Sequence, residues 1–340
     1  MAQENIYQKA LDSLNIFLEE QLLDNEPGAA LVISHQGHII FEEYYGTANV
    51  LSKERLSAEH LMGIASMSKQ FEGMAVLILV EQGKLGLKDD IKSHLPELPI
   101  EEGRISISQL LSHTSGLPEL TQDIHFMHHL DKKRSVQEII DLAFIQDIRH
   151  EPGERYQYCN TGYTIMEKVI EKVSGMSYAT FLKKHLFEPL QMKHTYCCDL
   201  EHDAQNIADR YLQDSTSIQL AEYIHFSNLI GGGGIISNAR DMHQWNNALL
   251  NGHHLPKNYQ KLWESILLNN GSSTNYGLGM GISSHQGHPF YYHPGMGSGM
   301  NSINLIFPEQ QMGIVIIRNV SNPSLSSVQL AMMIADLLIE

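Results

Sequence analysis

Ser66-Met67-Ser68-Lys69-Gln70-Phe71-Glu72-Gly73-Met74-Ala75-Val76-Leu77-Ile78-Leu79-Val80-Glu81 reads as a helix that is apolar on nearly every side. A helix without a polar face has to be covered all round, so the segment predicts a buried central element. Gly83 is placed to end it. Its longest apolar stretch, Met74 to Val80, is far short of the roughly 20 residues that a membrane span needs.

On the N-terminal side, Glu4 to Leu23 reads as an amphipathic helix. Its apolar side carries Ile6, Leu11, Leu14, Ile16, Phe17, Leu18 and Leu22. A turn at Asn25-Glu26-Pro27-Gly28 leads to strand-like runs Ala29 to Ser34 and His38 to Tyr45, with Gln36-Gly37 as a hairpin signal between them. On the C-terminal side, Leu85 to about Ile230 is mostly helical: Ile107 to Leu111, Val136 to Ile145, Thr161 to Val173 and Tyr178 to Leu186. After Gly231-Gly232-Gly233-Gly234 comes a helix from about Ala239 to Leu250. Strand-like runs follow at Tyr276 to Ile282, Phe290 to His293, Ser302 to Phe307 and Gly313 to Asn319, then a last helix, Ser327 to Ile339. Strands at both ends and helices between them predict an α+β fold. One antiparallel sheet is built from both termini and flanked by the first, central and last helices, with an all-helical domain inserted. The expected division is 1–72 with 230–340 for the sheet domain and 73–229 for the helical one, with the site in the cleft between them.

Composition narrows the partners. The chain has 340 residues, 42% hydrophobic and 18% charged, so it can build a sizeable core. Its net charge of −16 opposes binding to nucleic acid or anionic lipid. No membrane span is expected. The start, Met1-Ala2-Gln3-Glu4-Asn5, has neither a basic region nor an apolar one, which is read as cytoplasmic, or as periplasmic if an export signal was trimmed. Cys159 and the adjacent Cys197-Cys198 do not form a disulfide framework.

Three short motifs carry chemistry. Ser66 and Lys69 are three apart, so on a helix they share a face one turn from each other. A desolvated lysine can take the proton of a serine hydroxyl, although the same spacing also fits a helix cap. Tyr158-Cys159-Asn160 lies between Pro152-Gly153-Glu154-Arg155 and the helix from Thr161. A phenol there can relay protons and the amide can bond a lysine and a carbonyl; an ordinary loop tyrosine and a capping asparagine also fit. His293-Pro294-Gly295, followed by Met296-Gly297-Ser298-Gly299, ends a strand. Glycine there permits close approach of a substrate, or simply makes a turn.

Taken together, the three motifs resemble the serine β-lactamase and penicillin-binding protein superfamily, with its S-x-x-K, Tyr-x-Asn and K-T-G-like triplets. The Tyr-x-Asn and His-x-Gly forms are similar to the class C β-lactamase branch, which also holds D-alanyl-D-alanine carboxypeptidases, D-aminopeptidases and carboxylesterases. Gly83 to Asp90 with Leu95-Pro96-Glu97, Ile107 to Pro118, and Gly232 to Met242 look like further segments of that family. The resemblance covers nearly the whole chain and implies a β-lactamase/transpeptidase-like fold. It implies that Ser66 is acylated, Lys69 is its base and Tyr158 is the proton relay. Asn160, His293 and Gly295 would bind substrate, with the backbone N–H groups of Ser66 and Met296 as the oxyanion hole.

Two features depart from the β-lactamases. His293 stands where that branch carries lysine, and an imidazole is mostly neutral at pH 7. Cys159 replaces a small residue inside the middle triplet and is read as packing. The expected function is a cofactor-free, metal-free serine hydrolase on a small-molecule ester or peptide, of carboxylesterase or D-peptidase type. The alternatives are a weak β-lactamase and a catalytically silent protein that binds peptides or wall fragments. The oligomeric state is left open. His125, His128 and His129 have helical metal-ligand spacing but no completing ligand nearby, and His113 is read as structural. Phe290-Tyr291-Tyr292 either walls the pocket or fills a strand.

Overall fold

The computed structural model describes residues 4–101, 103–197, 206–214, 216–229 and 231–339. Met1-Ala2-Gln3, Cys198 and Ile230, named above, lie outside them, as does the side chain of Ile6. Gln36 and Gly37 both take positive φ, 50° and 81°, as a two-residue hairpin turn requires. They join Ala29–His35 (β1) to His38–Tyr45 (β2). The distal strands are Gly281–His285 (β3), His288–Gly297 (β4), Met300–Phe307 (β5) and Met312–Arg318 (β6). The sheet runs β3-β4-β5-β6-β1-β2, antiparallel throughout. The two ends of the chain meet where β1 pairs with β6, Ala29 opposite Arg318 and His35 opposite Met312.

Five helices cover the sheet or carry the site: Glu4–Gln21 (α1), Lys69–Glu81 (α2), Asn160–Ser174 (α3), Ala239–Asn251 (α4) and Ser327–Leu338 (α5). Side chains alternate across a strand, so β1 sends Ala29, Leu31 and Ile33 to one face and Ala30 and Val32 to the other. α1 and α5 cover the first face through Leu14, Leu18, Leu330 and Ile334. α2 and α4 belong to the core on the second, where Phe71 meets Trp245 with ring centroids 4.6 Å apart. Both faces are therefore dry, which is why β5 and β6 are buried at every position.

Several boundaries differ from expectation. Ile16, assigned to the apolar side of the first helix, is 61% exposed. The central helix begins with a 3₁₀ turn, Ala65–Ser68, and becomes α-helical only at Lys69. Tyr276 makes only an isolated bridge to Gly281, because Asn275 and Gly279 take positive φ and bend the chain. β4 runs past the expected end at His293 to Gly297, although Pro294 has no N–H to give to the ladder.

Candidate active site

The Ala65–Ser68 turn presents Ser66. Ala65 enters it at φ 46°, a left-handed conformation that strains a residue bearing a Cβ. Ser68 pins the turn: its hydroxyl donates to the Ala65 carbonyl at 2.7 Å and accepts the Ile235 N–H at 3.2 Å. On β4, Gly295 backs onto the same region. A Cβ there would lie 2.2 Å from the Ile64 carbonyl oxygen and 2.3 Å from the Ser302 hydroxyl. Only glycine lets the strand come this close.

Lys69 is fully buried. Its Nζ lies 3.3 Å from Ser66 Oγ, 2.8 Å from Asn160 Oδ1 and 2.8 Å from the Gly232 carbonyl oxygen. Burial lowers its pKa to about 8, against the pull of Glu72, Glu119 and Cys159. About a tenth of the molecules then carry the neutral amine at pH 7. Two of its three neighbours are carbonyl-type oxygens that only accept. The neutral amine gives its two hydrogens to them, and its lone pair is left for the Ser66 hydroxyl.

Tyr158 approaches from the other side. Its hydroxyl is hydrogen-bonded to Ser66, and burial pushes the phenol well up from its ordinary value. It therefore stays protonated at neutral pH, which leaves Lys69 as the basic member of the pair. Lys69 Nζ lies 5.0 Å from the Tyr158 ring centroid. The imidazole of His113 stacks on the phenol ring, with centroids 4.1 Å apart. His113 Nδ1 accepts the Cys159 N–H at 3.0 Å, and its carbonyl accepts the Gln157 N–H at 2.8 Å. Burial drives His113 well below its ordinary pKa, so the ring is neutral. It acts as a clamp on the Tyr158 loop. Cys159 is buried, with its thiol pushed up to about 12 by burial and directed at the carbonyls of Leu117 and Pro118. It packs there as a small hydrophobe.

Asn160 opens α3 and faces two ways, with Oδ1 towards Lys69 and Nδ2 donating to Glu119 Oε1 at 3.1 Å. Glu119 also accepts the Asn160 backbone N–H, capping a helix whose own N-cap, Cys159, offers no side-chain bond. His293 is 2% exposed. Its Nδ1 lies 2.6 Å from the Pro294 carbonyl oxygen and its Nε2 2.9 Å from the Tyr276 hydroxyl. The carbonyl can only accept, so Nδ1 carries the hydrogen and Nε2 accepts from Tyr276. Burial and the Lys69 charge lower its pKa to about 3. Both ring nitrogens are thus taken up by protein.

A cavity of roughly 270 Å³ opens beside Ser66 and Asn160. Leu120, Phe126, Leu130, Ile224, Leu229 and Met300 form much of its wall. Met296, whose side chain is 74% exposed, lies on its rim. No charged side chain is among the described residues that line it. Phe290 packs in the core beneath the sheet and Tyr291 stacks on Trp263, so this stretch fills a strand. His125 and His128 are exposed, and His129 Nδ1 bonds the His125 carbonyl at 2.8 Å.

Ser66, Lys69, Tyr158 and Asn160 come together as the motifs implied, with Gly295 behind them and Met296 on the cavity rim. Glu119, Gly232 and Tyr276 were not singled out from the sequence. Glu119 stands one residue past the Ile107 to Pro118 segment, which itself carries no charged carboxylate. Gly232 opens the Gly232 to Met242 segment, but the resemblance gives it no contact with Lys69.

A family model described as Beta-lactamase matches residues 18–338. The chain is 28% identical over 308 residues to "Protein flp" of Staphylococcus aureus (strain MW2), covering 87% of this chain and 60% of that protein. It is 30% identical over 258 residues to "Penicillin-binding protein 4*" of Bacillus subtilis (strain 168), covering 72% and 57%. The chain thus spans about 60% of the length of these curated relatives. Among solved structures, the octameric penicillin-binding protein homologue from Pyrococcus abyssi superposes with a TM-score of 0.81 at 27% identity, covering 96% of this chain and 77% of that one.

Proposed function

The chain belongs to the beta-lactamase family, and on that premise we propose that it is a serine hydrolase, acylated on Ser66, whose substrates are small neutral esters with an apolar acyl group. The observation that carries the ester preference is the uncharged lining of the cavity beside Ser66. A substrate carboxylate or ammonium placed there would be desolvated without a partner, which costs far more than an apolar chain gains by entering. His293 does not supply the missing cation, since it is neutral and occupied by Tyr276 and the Pro294 carbonyl.

In this reading the neutral amine of Lys69 takes the proton of Ser66 as Oγ attacks the ester carbonyl. The negative charge that forms on the carbonyl oxygen is met by the N–H groups of Ser66 and Met296, each such donor being worth about 10²–10³ in rate. Tyr158 gives its proton to the departing alcohol and is reprotonated from Lys69. Water then attacks the acyl group, losing a proton to Lys69 through Tyr158; as the tetrahedral intermediate collapses, the bond to Ser66 Oγ breaks and Lys69 returns that proton to Oγ, so the acid leaves and the hydroxyl and neutral amine are both restored. Asn160 holds Lys69 and the substrate carbonyl in register.

Purified protein assayed with p-nitrophenyl butyrate, a D-Ala-D-Ala peptide, a D-amino-acid amide and a chromogenic cephalosporin tests this. The ester should have the highest kcat/KM, by about 10²-fold or more, and Ser66→Ala should abolish it. A higher kcat/KM for any of the charged substrates would overturn the ester assignment. No Ser66 adduct and no turnover of any of them would favour the silent binding protein.

A further inference from the structure

We infer that Glu119 is a positioning residue that locks the amide of Asn160 in the one orientation in which its oxygen faces Lys69. The inference rests on the serine-hydrolase reading above.

Glu119 is 3% exposed and leads into the short 3₁₀ turn Leu120–Gln122. Its Oε1 accepts from Asn160 Nδ2 at 3.1 Å, from the Thr121 N–H at 3.0 Å and from the Thr121 hydroxyl at 2.5 Å. Its Oε2 accepts the Asn160 backbone N–H. A carboxylate offers only acceptors, so the Asn160 nitrogen must turn towards it and the oxygen away. The oxygen then accepts from Lys69 at 2.8 Å. A flipped amide would set oxygen against carboxylate and NH₂ against the amine hydrogens, two repulsive contacts in a buried site. The lysine lone pair is directed at Ser66 only while both its hydrogens have acceptors, so the orientation of Asn160 governs the activation of the nucleophile.

Glu119 also raises the pKa of Lys69 through its charge. The other titratable groups around Lys69 are Glu72 on its own helix, Tyr158 and Cys159 on the loop, Tyr163 on α3, and His113 and His293. Burial holds the Glu72 carboxyl well above the usual carboxylate range. Glu119→Gln leaves all of these in place, so any change in the titration of Lys69 is attributable to it.

The test is the rate at which a fluorophosphonate labels Ser66 in the purified full chain, measured against pH. Labelling needs no knowledge of the natural substrate. Glu119→Gln should lower the high-pH plateau by about 10-fold, through loss of orientation. It should also move the acid limb about one unit to lower pH, because Lys69 loses a negative neighbour. Damage to packing alone would lower the plateau and leave the limb in place. Glu119→Asp keeps the charge but not the reach, so the limb should stay and the plateau should fall part-way. In an Asn160→Ala background, Glu119→Gln should lower the plateau no further. An unmoved limb in Glu119→Gln, or equal losses in both backgrounds, overturns the inference. If Glu119→Gln does not fold, Glu119→Asp decides it: a wild-type plateau overturns the lock. An inert wild-type Ser66 instead removes the serine-hydrolase reading, and the lock with it, whereas labelling without ester turnover leaves the lock open to the same measurement.

Discussion

Lys69 Nζ lies 2.8 Å from the carbonyl oxygen of Gly232, and a Cβ on that glycine would stand 2.7 Å from the same nitrogen and 3.1 Å from Asn160 Oδ1. The glycine-rich segment is thus part of the floor on which the lysine rests. The atom in the way is the end of a side chain, so Gly232→Ala should fold while displacing the amine from Ser66. Activity should fall by about 10²-fold with little change in melting temperature. Assays of kcat/KM beside thermal melts check this, and near-native activity would refute it.

The pH dependence follows from Lys69. Its folded pKa is about 8, and in the proposed mechanism the neutral amine is the active form. kcat/KM for a neutral ester should therefore fall about tenfold per pH unit below 8 and level off above it. Tyr158, pushed upwards by burial, does not ionise across that range and adds no second limb. A profile whose acid limb lies near pH 5 would assign the base to a different group.

Tyr158→Phe keeps the ring that stacks on His113 at 4.1 Å and removes the hydroxyl bonded to Ser66. The fold should be unaffected and turnover should drop by about 10²–10⁴-fold, with the loss in kcat rather than KM. Unchanged turnover would take Tyr158 out of the mechanism.

The sequence made the sheet and the groups that gather around Ser66 legible for physical reasons. The Gln36-Gly37 turn between two strand-like runs marks a hairpin whether or not its partners are known, and i, i+3 spacing places Ser66 beside Lys69 from local geometry alone. What could not be read was set by contacts distant in sequence. Glu119 reaches Asn160 across 41 residues, and Gly232 reaches Lys69 across 163. Ile16 has an apolar side chain like its neighbours on the first helix, yet it points to solvent, because only the docking of that helix on the sheet selects which residues are covered. The burial of His293 is of the same kind. Its position in the third motif was visible, but Tyr276, which occupies its Nε2, lies in a segment that had been read as part of a strand.

That pairing makes His293→Lys a sharp test of why this chain departs from the β-lactamase pattern. A lysine at 293 can neither accept from Tyr276 nor donate to the Pro294 carbonyl in the same geometry, and it would bring a second cation into a buried region that already holds Lys69. An orphaned buried hydroxyl costs about 1–3 kcal/mol, and an unpaired buried charge adds to that. The variant should melt several degrees lower. It should gain no hydrolysis of a chromogenic cephalosporin, because the new amine lies among Tyr276 and the strand rather than along the cavity wall. Its charge, if kept, would push Lys69 further down, so whatever ester hydrolysis survives should persist to lower pH than in the wild type. A variant of native melting temperature that hydrolyses cephalosporins would mean that position 293 faces the substrate after all.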